Sequence, residues 1–150
     1  MKSNLIYFAA ALITGALIPI QASTNAAFSK SIGNASITGL MVFVVGLVGM
    51  LAYVFVSRVS MPTMQQLANA PTYGYLGGLI VATYVVMITI LAPRIGVGTA
   101  IGFIVTGQII CAIIIDHFGL FNVAIRTIDA TRFIGVLLIT AGVYFVMKTK

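Results

Sequence analysis

Five long apolar runs separated by short polar segments dominate this sequence of 150 residues. A helix needs about 20 consecutive apolar residues to cross the hydrocarbon core of a bilayer. The runs reach or approach that length, and they predict five membrane-spanning helices, over residues 4–28, 35–57, 72–92, 96–116 and 131–147. We therefore expect an all-α membrane protein with a single five-helix transmembrane domain over residues 1–150.

The composition agrees with a chain surrounded by lipid. Charged residues make up 7% of the sequence and apolar residues 61%, whereas a soluble domain has about 25% charged residues. The net charge of +6 comes from basic residues scattered between the apolar runs, while a nucleic-acid surface needs them clustered. We expect the lipid bilayer as the surroundings and no nucleic-acid partner.

The first run also has features of a signal peptide, because Lys2 precedes it and small residues surround Ala22. Cleavage after Ala22 would require a small residue where Ile20 stands. We therefore interpret the run as a membrane span. The single Cys111 lies inside the fourth run and can form no intrachain disulfide.

The positive charges divide evenly between the two sides of the predicted topology, although such charges usually favour the cytoplasmic side. The N-terminus and the second and fourth loops carry Lys2, Arg58, Arg126 and Arg132; the first and third loops and the C-terminus carry Lys30, Arg94, Lys148 and Lys150. A chain without a charge bias has no strong preference for one orientation.

The odd number of spans and the even charge tally favour one assembly. Many transporters pair two similar halves of inverted topology, and one chain supplies both halves only if it inserts both ways. We predict an antiparallel homodimer in which each chain is half of an inverted-repeat transporter, with Gly135 and Gly142 of the fifth span at the interface. The alternative is a subunit of fixed orientation that forms a heterodimer with a paralogue.

Small residues four positions apart indicate where helices approach closely in membranes. Two such pairs are Gly74–Gly78 in the third span and Gly98–Gly102 in the fourth.

Polar side chains in the spans mark a candidate substrate site, because polar groups in hydrocarbon face the bundle interior or a cavity. Gln21 and Asn25 lie four residues apart on one helix face, which Thr14 continues. Pro19 lies in the same helix and removes one backbone hydrogen bond, so freed carbonyl groups accompany the amides.

A second amide lies at comparable depth. Gln21 is about 10 Å inside the expected end of the first span, and Gln108 is about 16 Å inside the start of the fourth, at the same membrane surface. We predict a central substrate-binding site lined by Gln21, Asn25 and Gln108, with Thr14 and Tyr84 as weaker candidates. The alternative is an interhelical amide clasp that only stabilises the bundle.

Asp116 and His117 fall at the far end of the fourth span, where Gly119 suits the end of a helix. An aspartate at a helix C-terminus opposes the helix dipole, so we expect Arg126 or Arg132 as its partner. A latch between the fourth span and the next loop is our main interpretation. Proton coupling is the alternative, because histidine is the side chain that most readily changes charge near neutral pH.

The sequence has no acidic or basic residue in the middle of a span, no phosphate-binding loop, no paired carboxylates and no cluster of metal-ligand residues. We expect no enzymatic activity, no cofactor and no bound metal.

Five segments of the sequence carry recognisable motifs, over residues 15–26, 75–78, 93–96, 107–119 and 132–138. Together they resemble the motifs of the YdcZ-like inner-membrane exporters of the drug/metabolite transporter (DMT) superfamily, and the resemblance covers nearly the whole chain. It implies five-helix units, used alone or fused into ten-helix proteins with inverted halves. It also implies export or exchange of small molecules by alternating access, in a multi-pass protein of the bacterial inner membrane.

One departure narrows the substrate class. The related small multidrug-resistance branch has a glutamate in its first helix that binds a cation or proton, and this chain has no carboxylate there. We expect a small-molecule substrate that is neutral, zwitterionic or weakly polar. The competing hypothesis is a non-transporting scaffold or accessory subunit of another membrane protein.

Overall fold

The computed structural model describes the backbone of residues 2–148 and the side chains of residues 4–148. The side chain of Lys2 and the whole of Lys150, both part of the charge tally, lie outside this described part. The described chain is helical without strands. Its helices are α1 (Lys2–Ile32), α2 (Ala35–Val56), α3 (Met64–Ala68), α4 (Leu76–Ile95), α5 (Val97–Phe118) and α6 (Ala130–Met147), with 3₁₀ turns at Thr72–Tyr75 and Leu120–Asn122.

Five of these helices are long and apolar enough to cross a membrane, which confirms the predicted all-α membrane fold. The candidate spans are Asn4–Ile32, Ala35–Val56, Thr72–Ile95, Val97–Phe118 and Ala130–Met147. Most of their large apolar side chains are exposed, as a surface covered by lipid allows.

Two helices run further than the sequence predicted. The first continues through the polar residues after Phe28 to Ile32 and ends where Gly33 takes a φ of 73°. The helix of the third predicted span, α4, continues past Pro93 to Ile95 and ends at Gly96, whose φ is 86°. A proline removes only one backbone hydrogen bond and restricts mainly the preceding turn, so the left-handed glycine ends the helix.

The short helix α3 was not predicted. Its N-terminus is a capping box in which the Thr63 hydroxyl accepts from the Gln66 N–H at 3.2 Å and Gln66 Oε1 accepts from the Thr63 N–H at 2.8 Å. The sequence signal for it is the Thr63-x-x-Gln66 spacing.

The structure divides into two compact units, residues 1–90 and 91–150. In the first unit, α1 packs against α2 across the turn at Gly33, and Asn34 caps α2 by accepting from the Ile37 N–H at 3.0 Å. Farther along α2, a Cβ atom on Gly39 would stand 3.0 Å from Val86 Cγ2 of α4. These contacts hold the first unit together by close helix approach.

In the second unit, α5 packs against α6. The closest approach is at Gly102, where a Cβ atom would stand 2.8 Å from Val143 Cγ1. Of the predicted glycine pairs only Gly102 has this role: Cβ atoms added at Gly74, Gly78 and Gly98 would meet nothing within 4 Å.

Candidate functional site

Asn25 is the polar residue of α1 that the fold buries most deeply. Asn25 is only 6% exposed, and it lies on the same face of α1 as the buried Ala22. Its Nδ2 group has no hydrogen-bond partner among the described residues. A buried donor without a partner costs about 1–3 kcal/mol, so Asn25 holds an unused amide at a cost in stability.

Asn25 also lines an open groove between α1 and α2, which has a volume of about 420 Å³. Its walls are Thr24, Asn25 and Phe28 of α1 and Met41, Val42 and Val45 of α2. Small-molecule pockets typically have volumes of about 300–1,000 Å³, with few polar groups among apolar walls. The α1–α2 groove has this character, and Asn25 supplies its single amide.

The position of Asn25 along α1 places the groove below the membrane surface. Asn25 lies about 10 Å along the helix axis from Ile32, and Gln21 about 16 Å. Gln21 is partly buried and lies one turn deeper than Asn25, outside the walls of the groove. Because α1 ends at Ile32 and not at Phe28, Gln21 lies deeper in the membrane than the sequence predicted.

The two weaker candidates of the first unit are also outside the α1–α2 groove. Thr14 is exposed and donates its hydroxyl hydrogen bond to the Ala10 carbonyl of its own helix at 2.8 Å. Such a bond satisfies the hydroxyl group locally. Tyr84 lies partly buried on α4, beside the fully buried Val85.

Gln108 lies in the second unit, near the middle of α5 and about 16 Å from Val97 along the helix. The residue is exposed on the surface of the subunit. An amide facing hydrocarbon is costly, so this position favours contact with water or with another protein. A site that Gln108 shares with Gln21 and Asn25 stays a prediction.

Asp116 is paired with a basic residue at the end of α5. Its Oδ2 lies 3.5 Å from Nη1 of Arg132 on α6, and its backbone carbonyl accepts from the Arg126 N–H at 2.9 Å. Arg132 Nη1 also donates to the Arg126 carbonyl at 3.0 Å. These three residues tie α5, the following loop and α6 together.

His117 contributes a second contact to the same loop. Its Nδ1 accepts a hydrogen bond from the Ile128 N–H at 3.1 Å. The helix ends one residue later, at Phe118, and Gly119 takes the left-handed conformation with φ 61° and ψ 31°. The predicted end of this helix is thereby confirmed.

Asp129 has a local role that the sequence interpretation missed. It caps α6, accepting from the Arg132 N–H at 2.7 Å. The signal was present, since an aspartate directly before an apolar run is a common N-cap. The cap also fixes the start of the helix that carries Arg132, and so helps to position the ion pair with Asp116.

The chain matches one protein family over residues 6–145, and that family is described as "Putative inner membrane exporter, YdcZ". No curated protein matches the chain, and no solved structure does. This description names a membrane exporter and no enzyme, and it agrees with five helices that are long and apolar enough to cross a membrane. Because the match covers nearly the whole sequence, the chain belongs to the YdcZ family of inner membrane exporters.

Proposed function

We propose that this protein exports a small neutral, zwitterionic or weakly polar molecule by alternating access, as an antiparallel dimer. The observation that carries the proposal is the unsatisfied Nδ2 donor of Asn25 beside the α1–α2 groove. A substrate that accepts this hydrogen bond would offset the cost of burying the amide. Without a ligand, an apolar residue at this position would give a more stable protein, so packing alone does not account for the amide.

The charge of the substrate is inferred from what the spans contain. The sequence has two acidic residues, Asp116 and Asp129, and both lie at the ends of α5 and α6. An amide donates and accepts hydrogen bonds but cannot neutralise a full charge as a carboxylate does. The α1 site therefore favours ligands without a net charge.

Three surface features support a second copy of the chain as partner. The helix α6 has no buried residue among those described, and Cβ atoms on Gly135 and Gly142 would meet nothing within 4 Å. The mid-helix amide of Gln108 is exposed. A partner of inverted orientation would cover these groups and supply the second half that alternating access requires.

A thermal-shift screen tests the substrate class, because a ligand that binds only the folded state raises the apparent melting temperature. The panel contains neutral amino acids, small amides and polyols, with tetraphenylphosphonium as a lipophilic cation. We expect a hit among the uncharged or zwitterionic compounds and none for the cation. Asn25→Leu should abolish the shift, whereas Thr14→Val should keep it because that hydroxyl bonds only to its own helix.

A shift caused only by tetraphenylphosphonium would contradict the proposed substrate class. A hit that Asn25→Leu leaves unchanged would exclude the α1–α2 groove as its site. If no small molecule binds and the protein co-purifies in fixed ratio with another membrane protein, the accessory-subunit hypothesis is correct.

The antiparallel assembly is tested by the accessibility of tags on the C-terminus in intact cells and in inverted membranes. Two populations of equal size are expected. A single location for every copy would exclude dual topology and favour a heterodimer with a paralogue.

A further inference from the structure

A second groove runs along the C-terminal part of α2, beyond the α2 residues that line the α1–α2 groove. It has a volume of about 710 Å³ and apolar walls, and a single cation lies at one end. Its lining residues are Val48, Leu51, Ala52, Val54, Phe55, Arg58, Val59 and Met61. Most of them recur every three or four positions, which places them along one face of the helix.

The length of this α2 groove matches one leaflet of a bilayer. The helix rises about 12 Å from Val48 to its last residue, Val56, and Arg58 follows two residues later. Half of the hydrocarbon core is about 15 Å thick. Arg58 follows the last turn of the span Ala35–Val56. Its guanidinium group is therefore at the level of lipid headgroups, while Val48 reaches toward the middle of the bilayer.

Arg58 occupies a backbone position that normally belongs to glycine. Its φ is 50°. The Arg58 N–H bonds to the Phe55 carbonyl at 3.2 Å, and the Val59 N–H bonds to the Val54 carbonyl at 3.1 Å. This pair of bonds is the Schellman motif, in which the left-handed residue is usually glycine. An arginine here adopts a conformation that is unfavourable for residues with a Cβ atom, and strained residues often mark binding sites.

Within the described part of the chain, Arg58 makes no ion pair: Asp116 is paired with Arg132, and Asp129 caps α6. A cation at the mouth of an apolar groove is complementary to a ligand with an anionic head and a hydrocarbon tail. Arginine in particular matches a phosphate group with two parallel hydrogen bonds.

We propose that the α2 groove binds an anionic phospholipid. One acyl chain lies along the apolar wall from Arg58 toward Val48, and the phosphate group is held by the Arg58 guanidinium. The site lies farther toward the C-terminal end of α2 and shares no lining residue with the candidate substrate groove. Its occupancy does not depend on transport. Its occupant belongs to the surrounding membrane, which supplies phospholipid at high local concentration.

The test measures melting of the purified protein by circular dichroism in detergent, with dioleoyl phosphatidylglycerol, dioleoyl phosphatidylcholine or inorganic phosphate added. We expect the anionic lipid to raise Tm by at least about 3 °C more than the zwitterionic lipid. Inorganic phosphate should have no effect. Native mass spectrometry should find one tightly held phosphatidylglycerol per subunit.

Arg58→Gly is the decisive variant, because glycine suits the left-handed position and so preserves the helix end. It should fold with an unchanged or higher Tm in phosphatidylcholine and lose both the extra shift and the bound anionic lipid. Arg58→Lys should keep part of the shift. Arg94→Gln, which removes an exposed cation at the end of another span, should keep all of it.

Equal shifts from the two lipids, or a full shift in Arg58→Gly, would overturn the proposal. A shift reproduced by inorganic phosphate alone would mean a simple anion site without a lipid tail. A shift that depends on protein concentration and not on lipid would mean that a second copy of the chain covers the groove.

Discussion

Val143 of α6 lies directly against Gly102 of α5, with its Cγ1 atom 2.8 Å from the position that a Cβ atom on Gly102 would take. Real Cβ atoms do not make contacts this short, so the two helices reach their observed separation only because residue 102 lacks a side chain. Valine is branched at Cβ and has one strongly preferred rotamer in a helix. It cannot easily move aside, and the contact is a rigid one.

Gly102→Ala should therefore force α5 and α6 apart and destabilise the protein by about 1–3 kcal/mol, the usual cost of overpacking. Melting followed by circular dichroism measures the loss. Gly98→Ala is the matched control on the same helix, because a Cβ atom there would meet nothing within 4 Å. This control should be neutral or more stable by about 0.5–1 kcal/mol.

The double variant Gly102→Ala with Val143→Ala tests whether the contact with Val143 causes the loss of stability in Gly102→Ala. Removing the valine methyl groups makes room for the new Cβ atom, so the two substitutions should be strongly non-additive. Additive losses would show that the Gly102 effect does not come from this contact.

Asn25→Leu should raise stability in the absence of ligand while it abolishes ligand binding. The buried Nδ2 group has no partner among the described residues, and replacing such a group with an apolar one recovers about 1–3 kcal/mol. Circular dichroism melting measures the gain. Ser23→Ala is the control on the same helix, since its hydroxyl bonds to the Pro19 carbonyl at 2.8 Å and its loss should change stability little. A large loss of stability in Asn25→Leu would mean that the amide is a structural clasp.

Gln108→Leu should abolish ligand binding and leave the protein folded and dimeric, because an exposed amide in mid-span adds little to the packing of its own subunit. Ligand-induced thermal shift and chemical crosslinking measure the two properties. Thr106→Val is the control on α5, where the hydroxyl bonds to the Gly102 carbonyl at 2.9 Å. Loss of the dimer in Gln108→Leu would instead support an interhelical amide clasp.

The spans were predictable because length and hydropathy alone decide which helices can cross a bilayer. The end of α5 was also predictable, since Gly119 suits a left-handed position. The exact ends of α1 and α4 were not predictable from polarity, because these helices end where Gly33 and Gly96 adopt a positive φ. The left-handed conformation of Arg58 had no signal, since arginine carries no preference for it.

The candidate site was predictable in part. Helical periodicity puts Gln21 and Asn25 on one face, but it cannot say which amide is buried. Burial depends on how the helices pack, and the fold buries Asn25 but leaves Gln21 only partly buried. Sequence spacing likewise did not separate Gly102, where an added Cβ atom would collide with Val143 of α6, from Gly98, where it would meet nothing within 4 Å.

The role of Asp116 and His117 is decided by transport measured against pH, using a substrate identified in the screen. The latch interpretation expects the pH profile of Asp116→Asn and of His117→Gln to keep the shape of the wild-type profile. Asp116 is already paired with Arg132 at 3.5 Å, and His117 Nδ1 is used by the Ile128 N–H at 3.1 Å.

Arg132→Gln is the matched variant for the latch, because it removes the ion pair from the other side and leaves both candidate proton carriers in place. It should lower the melting temperature by an amount similar to Asp116→Asn, and the double variant should add little, since both changes break the same pair. The pair is partly exposed, so each loss should be below about 1 kcal/mol. The contrary result would be that His117→Gln or Asp116→Asn removes the pH dependence of transport but not ligand binding, while Arg132→Gln keeps both. In that case Asp116 and His117 carry the coupled proton, and the latch interpretation is wrong.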